Sequence, residues 1–155
     1  MTDIIEGAHH VGITVADMER SSAFWGALLG AEPTATEHLA GPGLGRLVGY
    51  PSVRMERRWV EAPGGPVVEL LRYLDRDEAP YDPGTAHPGN VHVCLAVSDV
   101  PAAHAHALAC GATGVGDGWI EVPAGPNAGA RIAYVRGPDG VTVELFEKPK
   151  PRAQW

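Results

Sequence analysis

The sequence predicts an α+β fold made of two copies of a β-α-β-β-β module. The main observation is an internal repeat in the 155-residue chain, in which the segment HVGITVAD, beginning at His10, matches HVCLAVSD, beginning at His92. A second match aligns residues 59–70 without a gap on residues 134–145, and the two segments share Val, Pro, Gly, Val, Glu and Leu. Such a repeat indicates two similar structural units that share a core.

The first strand of each module is predicted from alternating apolar residues. Val11, Ile13 and Val15 alternate with polar or small residues, which is the period of two expected for a half-buried strand. The same alternation follows His92. We therefore expect His10 and His92 at strand starts, on the face opposite the apolar row.

A helix is predicted after each first strand. Asp17 and Asp99 stand where a side-chain acceptor would satisfy the first free backbone N–H groups of a helix. The first helix is expected to end at Gly30, because glycine adopts the left-handed conformation that commonly closes helices. The second helix is predicted over residues 102–110, with Gly111 after it.

Two further strands are predicted near the end of each module, and a short strand is expected before each pair. The pairs lie near residues 53–61 and 66–73 in the first module, and near 130–136 and 141–147 in the second. A polar, proline-rich segment separates the modules. The predicted organisation is a first module at 8–73, a linker at 74–89, a second module at 90–147 and a tail at 148–155.

Histidines and glutamates at matching places in the two modules suggest a metal site. Glu69 and Glu144 each lie between two apolar residues of a predicted strand, so each carboxylate should point away from the apolar face. If the modules pack about a pseudo-twofold axis, these carboxylates meet His10 and His92 on one concave surface. Two imidazoles and two carboxylates suit one divalent ion such as Zn, Ni, Co, Mn or Fe(II). A single strand histidine or glutamate is more often structural, so the hypothesis depends on the matched set.

Other candidate features carry less weight. His9 is predicted on the strand face opposite His10, which favours a surface position or contact with a metal ligand over binding the metal itself. His104 and His106 are interpreted as solvated helix residues. Trp59 and Tyr134 occupy equivalent positions, where they either pack or stack on a substrate.

Two glycine-rich segments are interpreted as loops. The segment GPGLG at residues 41–45 lacks the Lys-Ser/Thr of a phosphate-binding loop, so a plain loop or flexible lid is expected. The segment PAGPNAG at residues 123–129 is a second candidate for a mobile loop over the site.

The composition limits the classes of partner and the compartment. A formal net charge of −7 argues against nucleic acid or an anionic membrane surface as partner. Cys94 and Cys110 lack Cys-x-x-Cys spacing, so neither a disulfide scaffold nor a thiolate zinc site is predicted. The N-terminal residues lack the features of a signal peptide, and no run approaches the roughly 18 apolar residues of a membrane span. We expect a soluble, cytoplasmic protein.

The repeated segments resemble the vicinal oxygen chelate (VOC) superfamily, which includes glyoxalase I, methylmalonyl-CoA epimerase, extradiol dioxygenases and the fosfomycin and bleomycin resistance proteins. The resemblance covers the segments from His10 and from His92, AFW…LG within residues 23–30, and YVRGPDG…EL within residues 134–145. It implies a single domain, residues 1–155, in which paired βαβββ modules form an eight-stranded, cup-shaped mixed sheet. It also implies a homodimer and one divalent metal ion, with four ligands: His10, Glu69, His92 and Glu144.

The set of two His and two Glu is most similar to that of glyoxalase I, since the epimerases usually have Gln where this chain has Glu69. That resemblance implies a metal-dependent lyase or isomerase that transfers a proton through a metal-stabilised enediolate of a small carbonyl substrate. Glu144 is the first candidate for the base and Glu69 the second. Two alternatives stay open. One is an Fe(II) extradiol-type dioxygenase that uses His10, His92 and Glu144, and the other is a metal-free drug-binding or natural-product-binding (resistance) protein.

Overall fold

The structure is a computed structural model that describes residues 4–65, 67–76, 79 and 81–149. Its internal contacts divide the chain into two compact units, Met1–Ala79 and Pro80–Trp155, called here the first and second units. Parts of the predicted linker and tail, at residues 77, 78, 80 and 150–155, lie outside the described residues. None of the helices in the described part of the chain is long and apolar enough to cross a membrane.

The first unit contains a four-stranded mixed sheet. Its elements are β1 (His10–Thr14), α1 (Met18–Leu29), β2 (Glu37–Ala40), α2 (Pro42–Val48), β3 (Arg54–Glu61) and β4 (Val67–Tyr73). The strand order is β1-β4-β3-β2. Strands β1 and β4 are parallel, whereas β3 is antiparallel to both of its neighbours.

The second unit repeats this arrangement. Its elements are β5 (His92–Ala96), α3 (Val100–Ala109), β6 (Thr113–Glu121), β7 (Arg131–Arg136), a 3₁₀ turn (Pro138–Gly140) and β8 (Thr142–Glu147). The strand order is β5-β8-β7-β6, again with the first pair parallel and the others antiparallel. The predicted α+β class and the repeated β-α-β-β-β order are confirmed, with α2 as an addition in the first unit.

The two main helices begin as the sequence predicts. The Asp17 carboxylate accepts a hydrogen bond from the backbone N–H of Arg20 at 3.0 Å, and Asp99 accepts one from Ala102 at 2.9 Å. Each cap satisfies a donor that the first turn of a helix leaves free. Because Asp99 is the cap, α3 starts at Val100, as the predicted capping position requires. Gly30 closes α1 in the left-handed conformation, at φ 64°.

The prediction of a plain loop at residues 41–45 was wrong, because Pro42 begins α2 there. Proline suits the first helical position, and Gly49 ends the helix at φ 81°. Gly45 is needed for packing, since a Cβ atom on it would lie only 2.6 Å from the carbonyl oxygen of Tyr50. The glycines that suggested a flexible segment therefore allow a short helix to pack closely.

Each sheet buries one face together with its helix. The most buried apolar side chains of the first unit include Trp25, Val53, Val60, Val68 and Leu70. Those of the second unit include Val100, Val135, Val143 and Leu145. Because side chains alternate along a strand, the flanking apolar pairs Val68/Leu70 and Val143/Leu145 direct Glu69 and Glu144 to the opposite sheet face.

Candidate functional site

The strand register places one histidine and one glutamate side by side in each unit. In the parallel pairing of β1 with β4, His10 is opposite Val67, so His10 and Glu69 share a sheet face. In the pairing of β5 with β8, His92 is opposite Thr142, and Glu144 stands in the same relation to His92. The predicted ligands thus form two pairs, one in each unit.

The atoms of each pair are close enough to bind one ion. His10 Nε2 lies 3.2 Å from Glu69 Oε2, and His92 Nε2 lies 2.8 Å from Glu144 Oε2. Two ligand atoms that each lie about 2.0–2.2 Å from a metal ion are about 3 Å apart when they occupy neighbouring coordination positions. The nitrogen and oxygen donors of each pair therefore fit a divalent cation, and without one they are at hydrogen-bonding or ion-pairing distance.

The carboxylates are the buried partners. The side chains of Glu69 and Glu144 are 11% and 13% exposed, whereas those of His10 and His92 are 37% and 44% exposed. A buried carboxylate requires a partner. The exposed imidazoles remain accessible to a bound ion and to a substrate.

An aromatic ring contacts the histidine of each pair. Trp59 meets the His10 ring edge to face, with ring centroids 5.5 Å apart, and Tyr134 meets the His92 ring in the same way at 5.4 Å. The equivalent positions noticed in the sequence therefore have equivalent contacts. Both rings limit how the imidazole beside them can turn.

An arginine contacts the glutamate of the first unit, and no described arginine contacts that of the second. Arg57 Nη1 lies 3.5 Å from Glu69 Oε1, and Arg57 Nη2 donates to Glu37 Oε2 at 2.7 Å. The same guanidinium lies 4.9 Å from the centre of the Trp59 ring, and the Trp59 indole N–H donates to Glu37 Oε1 at 3.2 Å. The hydrogen bond from Arg57 lowers the pKa of Glu37, so this carboxylate is ionised at neutral pH.

Sequence reasoning missed Arg57 and Glu37 as site residues. The neighbouring Arg58 points to the opposite face of β3, where it binds Glu19 and Thr36. Alternation along the strand separates these two arginines, but only the register of β2, β3 and β4 shows which of them faces Glu69.

The glutamate of the second unit has neutral neighbours. Burial, followed by the charge of Glu144, raises the pKa of the Cys94 thiol to about 11. Burial and the same carboxylate also raise the pKa of Tyr134. Thiol and phenol are therefore both protonated at neutral pH, and Ile132 occupies the place that Arg57 has in the first unit.

The remaining histidines are dispersed. His9 precedes β1, and its Nδ1 lies 2.9 Å from His10 Nδ1. The prediction that His104 is solvated was wrong, because its ring is half-buried near Gly114 and its Nε2 is buried without a hydrogen-bond partner among the described residues. His106 is exposed, as predicted. No group of three or more His, Cys, Asp or Glu side chains suited to one metal ion occurs within the described part of the chain.

The predicted loop over residues 123–129 is a turn between β6 and β7 with its own hydrogen bonds. The N–H of Gly129 donates to the carbonyl of Val122 at 2.9 Å, and the N–H of Val122 donates to the carbonyl of Ala130 at 2.8 Å. These bonds continue the strand pairing into the base of the loop.

The fold and the site together define a class: an α+β protein with a repeated unit that presents a histidine and a glutamate from each copy. Residues 9–134 match the family model described as the Glyoxalase/Bleomycin resistance protein/Dioxygenase superfamily. The chain belongs to this superfamily, which confirms the resemblance seen in the sequence.

Individual relatives agree with this assignment. The chain is 30% identical over 145 residues to a 2-epi-5-epi-valiolone epimerase from an Actinomyces species, a match covering 91% of this chain and 79% of that protein. Its fold is similar to the crystal structure of a glyoxalase family protein from Bacillus cereus, with a TM-score of 0.77, 24% identity and coverage of 96% and 98% of the two chains. It is also similar to a fosfomycin resistance protein from Listeria monocytogenes crystallised with Mn(II) and sulfate, with a TM-score of 0.58, 14% identity and 93% coverage of each chain.

Proposed function

We propose that this protein is a metal-dependent isomerase, an epimerase that moves a proton at the carbon next to the carbonyl group of a small hydroxy ketone. The observation that carries the proposal is the repeated pair of histidine and glutamate, with donor atoms 3.2 Å apart in the first unit and 2.8 Å apart in the second. The relative named as an epimerase favours isomerisation within the broader lyase or isomerase class expected from the sequence.

The proposed ligands of a divalent ion are His10, Glu69, His92 and Glu144. Nitrogen and oxygen donors of this kind suit Zn, Ni, Co, Mn or Fe(II). The Mn(II) bound to the similar fosfomycin resistance protein supports a divalent ion in this family. When bound, such an ion supplies positive charge for the substrate oxygen that becomes negative as the neighbouring carbon loses its proton.

Glu144 is the proposed base, because no guanidinium contacts it among the described residues, whereas one lies beside Glu69. Cys94 and Tyr134 are neutral hydrogen-bonding partners, whereas Arg57 lies beside Glu69. In the proposed reaction the Glu144 carboxylate accepts the proton from the carbon next to the carbonyl, and a proton from solvent is added to the opposite face, so that configuration is inverted. General base catalysis of this kind contributes about 10²- to 10⁴-fold to rate.

The decisive experiment measures metal content and proton exchange on the same preparation. Untagged protein is purified anaerobically, analysed for metals, and incubated in D₂O with 2-epi-5-epi-valiolone, the compound named for the Actinomyces relative. We expect a stoichiometric divalent metal, together with deuterium at the epimerised carbon detected by NMR. Stripping the metal should stop the exchange, and adding it back should restore it.

Three results would count against the proposal in different ways. A protein that binds no metal after reconstitution and holds a natural product unchanged would be a binding protein. Bound iron with oxygen consumption would indicate a dioxygenase. Bound metal without deuterium incorporation into any hydroxy ketone would support the metal site but exclude the isomerase activity.

A further inference from the structure

The first unit holds its glutamate through a line of polar contacts that has no counterpart among the described residues of the second unit. Glu37 binds Arg57 at 2.7 Å, Arg57 reaches Glu69 at 3.5 Å, and Glu69 reaches His10 at 3.2 Å. Trp59 contacts two of these residues. Its ring packs against the Arg57 guanidinium, and its indole N–H donates a hydrogen bond to Glu37.

The two oxygens of Glu69 face different partners. Arg57 approaches Oε1, while His10 approaches Oε2. Guanidinium groups orient carboxylates well, because their N–H groups project in fixed directions from a plane. The arrangement thus leaves Oε2 directed toward the imidazole nitrogen, where a shared ion would bind.

Arg57 is itself fixed in position. Its side chain is 27% exposed, and its shortest contact is with Glu37, not with Glu69. Glu37 lies on the neighbouring strand directly opposite Arg57, so backbone pairing sets the distance between them. In the second unit the corresponding place holds Ile132, and the described partners of Glu144 are His92 and the protonated side chains of Cys94 and Tyr134.

We propose that Arg57, anchored by Glu37, is a positioning residue that keeps Glu69 beside His10 as a metal ligand. This inference rests on the proposed function. It goes beyond that function by assigning the orientation of Glu69 to Arg57 and Glu37.

The test measures Co(II) binding to four full-length variants by competition with a chelator, together with the visible spectrum of the bound Co(II). The variants are Arg57→Leu, Arg57→Lys, Glu37→Gln and, as the matched control, Arg58→Leu. The control removes the same charge from the same strand but from the opposite face, where Arg58 binds Glu19 and Thr36.

We expect Arg57→Leu to weaken Co(II) binding by about 10- to 100-fold, as is common when a residue that orients a metal ligand is removed. The Co(II) spectrum should change as well, because Glu69 is no longer held in one orientation. Arg57→Lys and Glu37→Gln should show smaller losses, and Arg58→Leu should bind like the wild type. If Arg57→Leu fails to fold, Co(II) binding to Arg57→Lys and Glu37→Gln decides whether Arg57 positions Glu69.

Unchanged or tighter Co(II) binding in the Arg57 and Glu37 variants would overturn the inference. Tighter binding is the result expected if Arg57 acts only as a positive charge that repels the cation. Such a result would leave the proposed function intact, since the wild type would still bind metal. Failure of the wild type to bind any metal would instead overturn the proposed function, and this inference with it.

Discussion

The two pairs of histidine and glutamate are alike in backbone register and unlike in surroundings. His10–Glu69 and His92–Glu144 occupy the same positions in matching sheets, and each has an aromatic ring against its imidazole. Around Glu69 the structure adds a guanidinium, whereas around Glu144 it adds a thiol and a phenol. The repeat sets where the donor atoms lie, and the neighbouring residues set what each carboxylate can do.

This difference arises from a few positions. The place of Arg57 on β3 corresponds to Ile132 on β7, and the place of Gly12 on β1 corresponds to Cys94 on β5. A Cβ atom on Gly12 would lie 3.5 Å from Glu69 Oε2, so a side chain there would lie against the carboxylate, as Cys94 does in the second unit.

The largest expected effect comes from replacing Glu144 or Glu69, one at a time, with glutamine. Glu144→Gln removes the proposed base while keeping the shape of the side chain, so we expect proton exchange on metal-loaded protein to fall by about 10²- to 10⁴-fold. Glu69→Gln should act mainly on metal affinity and keep more of the exchange rate at saturating metal. Deuterium incorporation measured by NMR gives the exchange rate of both variants.

Glu61→Gln, an exposed position at the end of β3, serves as the control for this comparison. Equal losses of exchange rate in Glu144→Gln and Glu69→Gln at saturating metal would show that the two glutamates share one role. A larger loss in Glu69→Gln would reverse the assignment.

A smaller effect is expected in the reactivity of Cys94. Its pKa of about 11 means that little thiolate is present at pH 8, although the residue is exposed. We expect alkylation on the order of 100-fold slower than for the same cysteine in the denatured chain, with the rate rising as the pH increases toward 11. Mass spectrometry of peptides from the alkylated protein measures this directly.

Glu144→Gln connects this measurement to the comparison of the two units. Because the Glu144 charge is one cause of the raised pKa, the variant should alkylate faster at Cys94. A rate equal to that of the denatured chain in the wild type would mean that neither burial nor Glu144 acts on the thiol.

Local patterns in the sequence predicted much of the fold and the two pairs. Asp17 and Asp99 mark helix starts because capping depends on residues within one turn. Glu69 and Glu144 were found because strand alternation is also local. The two matched segments then indicated that both pairs have the same relation to a strand start.

The missed features depend on contacts that are distant in sequence. Glu37 and Arg57 meet because β2 pairs with β3 in one particular register, and alternation alone does not show which face of β3 carries the site. The helix α2 was missed because its glycines are common in loops, while the tight packing at Gly45 exists only in the folded chain.

The smallest expected effect concerns stability at another position where the units differ. Glu147 on β8 is 4% exposed, and its Oε2 accepts a hydrogen bond from the backbone N–H of Val100 at 2.9 Å. The corresponding residue of the first unit is Arg72, which lies 3.5 Å from Glu56 instead. A carboxylate at the start of α3 satisfies a free N–H group and interacts favourably with the helix dipole. Glu147→Leu leaves that donor buried without its partner, so we expect a loss of about 1–3 kcal/mol in the free energy of unfolding.

Urea denaturation of Glu147→Leu, Glu147→Gln and Glu121→Leu tests this expectation. Glu121 is the matched control, because it lies 3.8 Å from Arg131, the same arginine that lies 3.7 Å from Glu147, but its side chain is 60% exposed. Glu147→Gln retains an acceptor oxygen and should lose less stability than Glu147→Leu. If Glu147→Leu is no less stable than Glu121→Leu, the hydrogen bond to Val100 contributes nothing measurable. In that case the buried Glu147 carboxylate adds no measurable stability to the second unit.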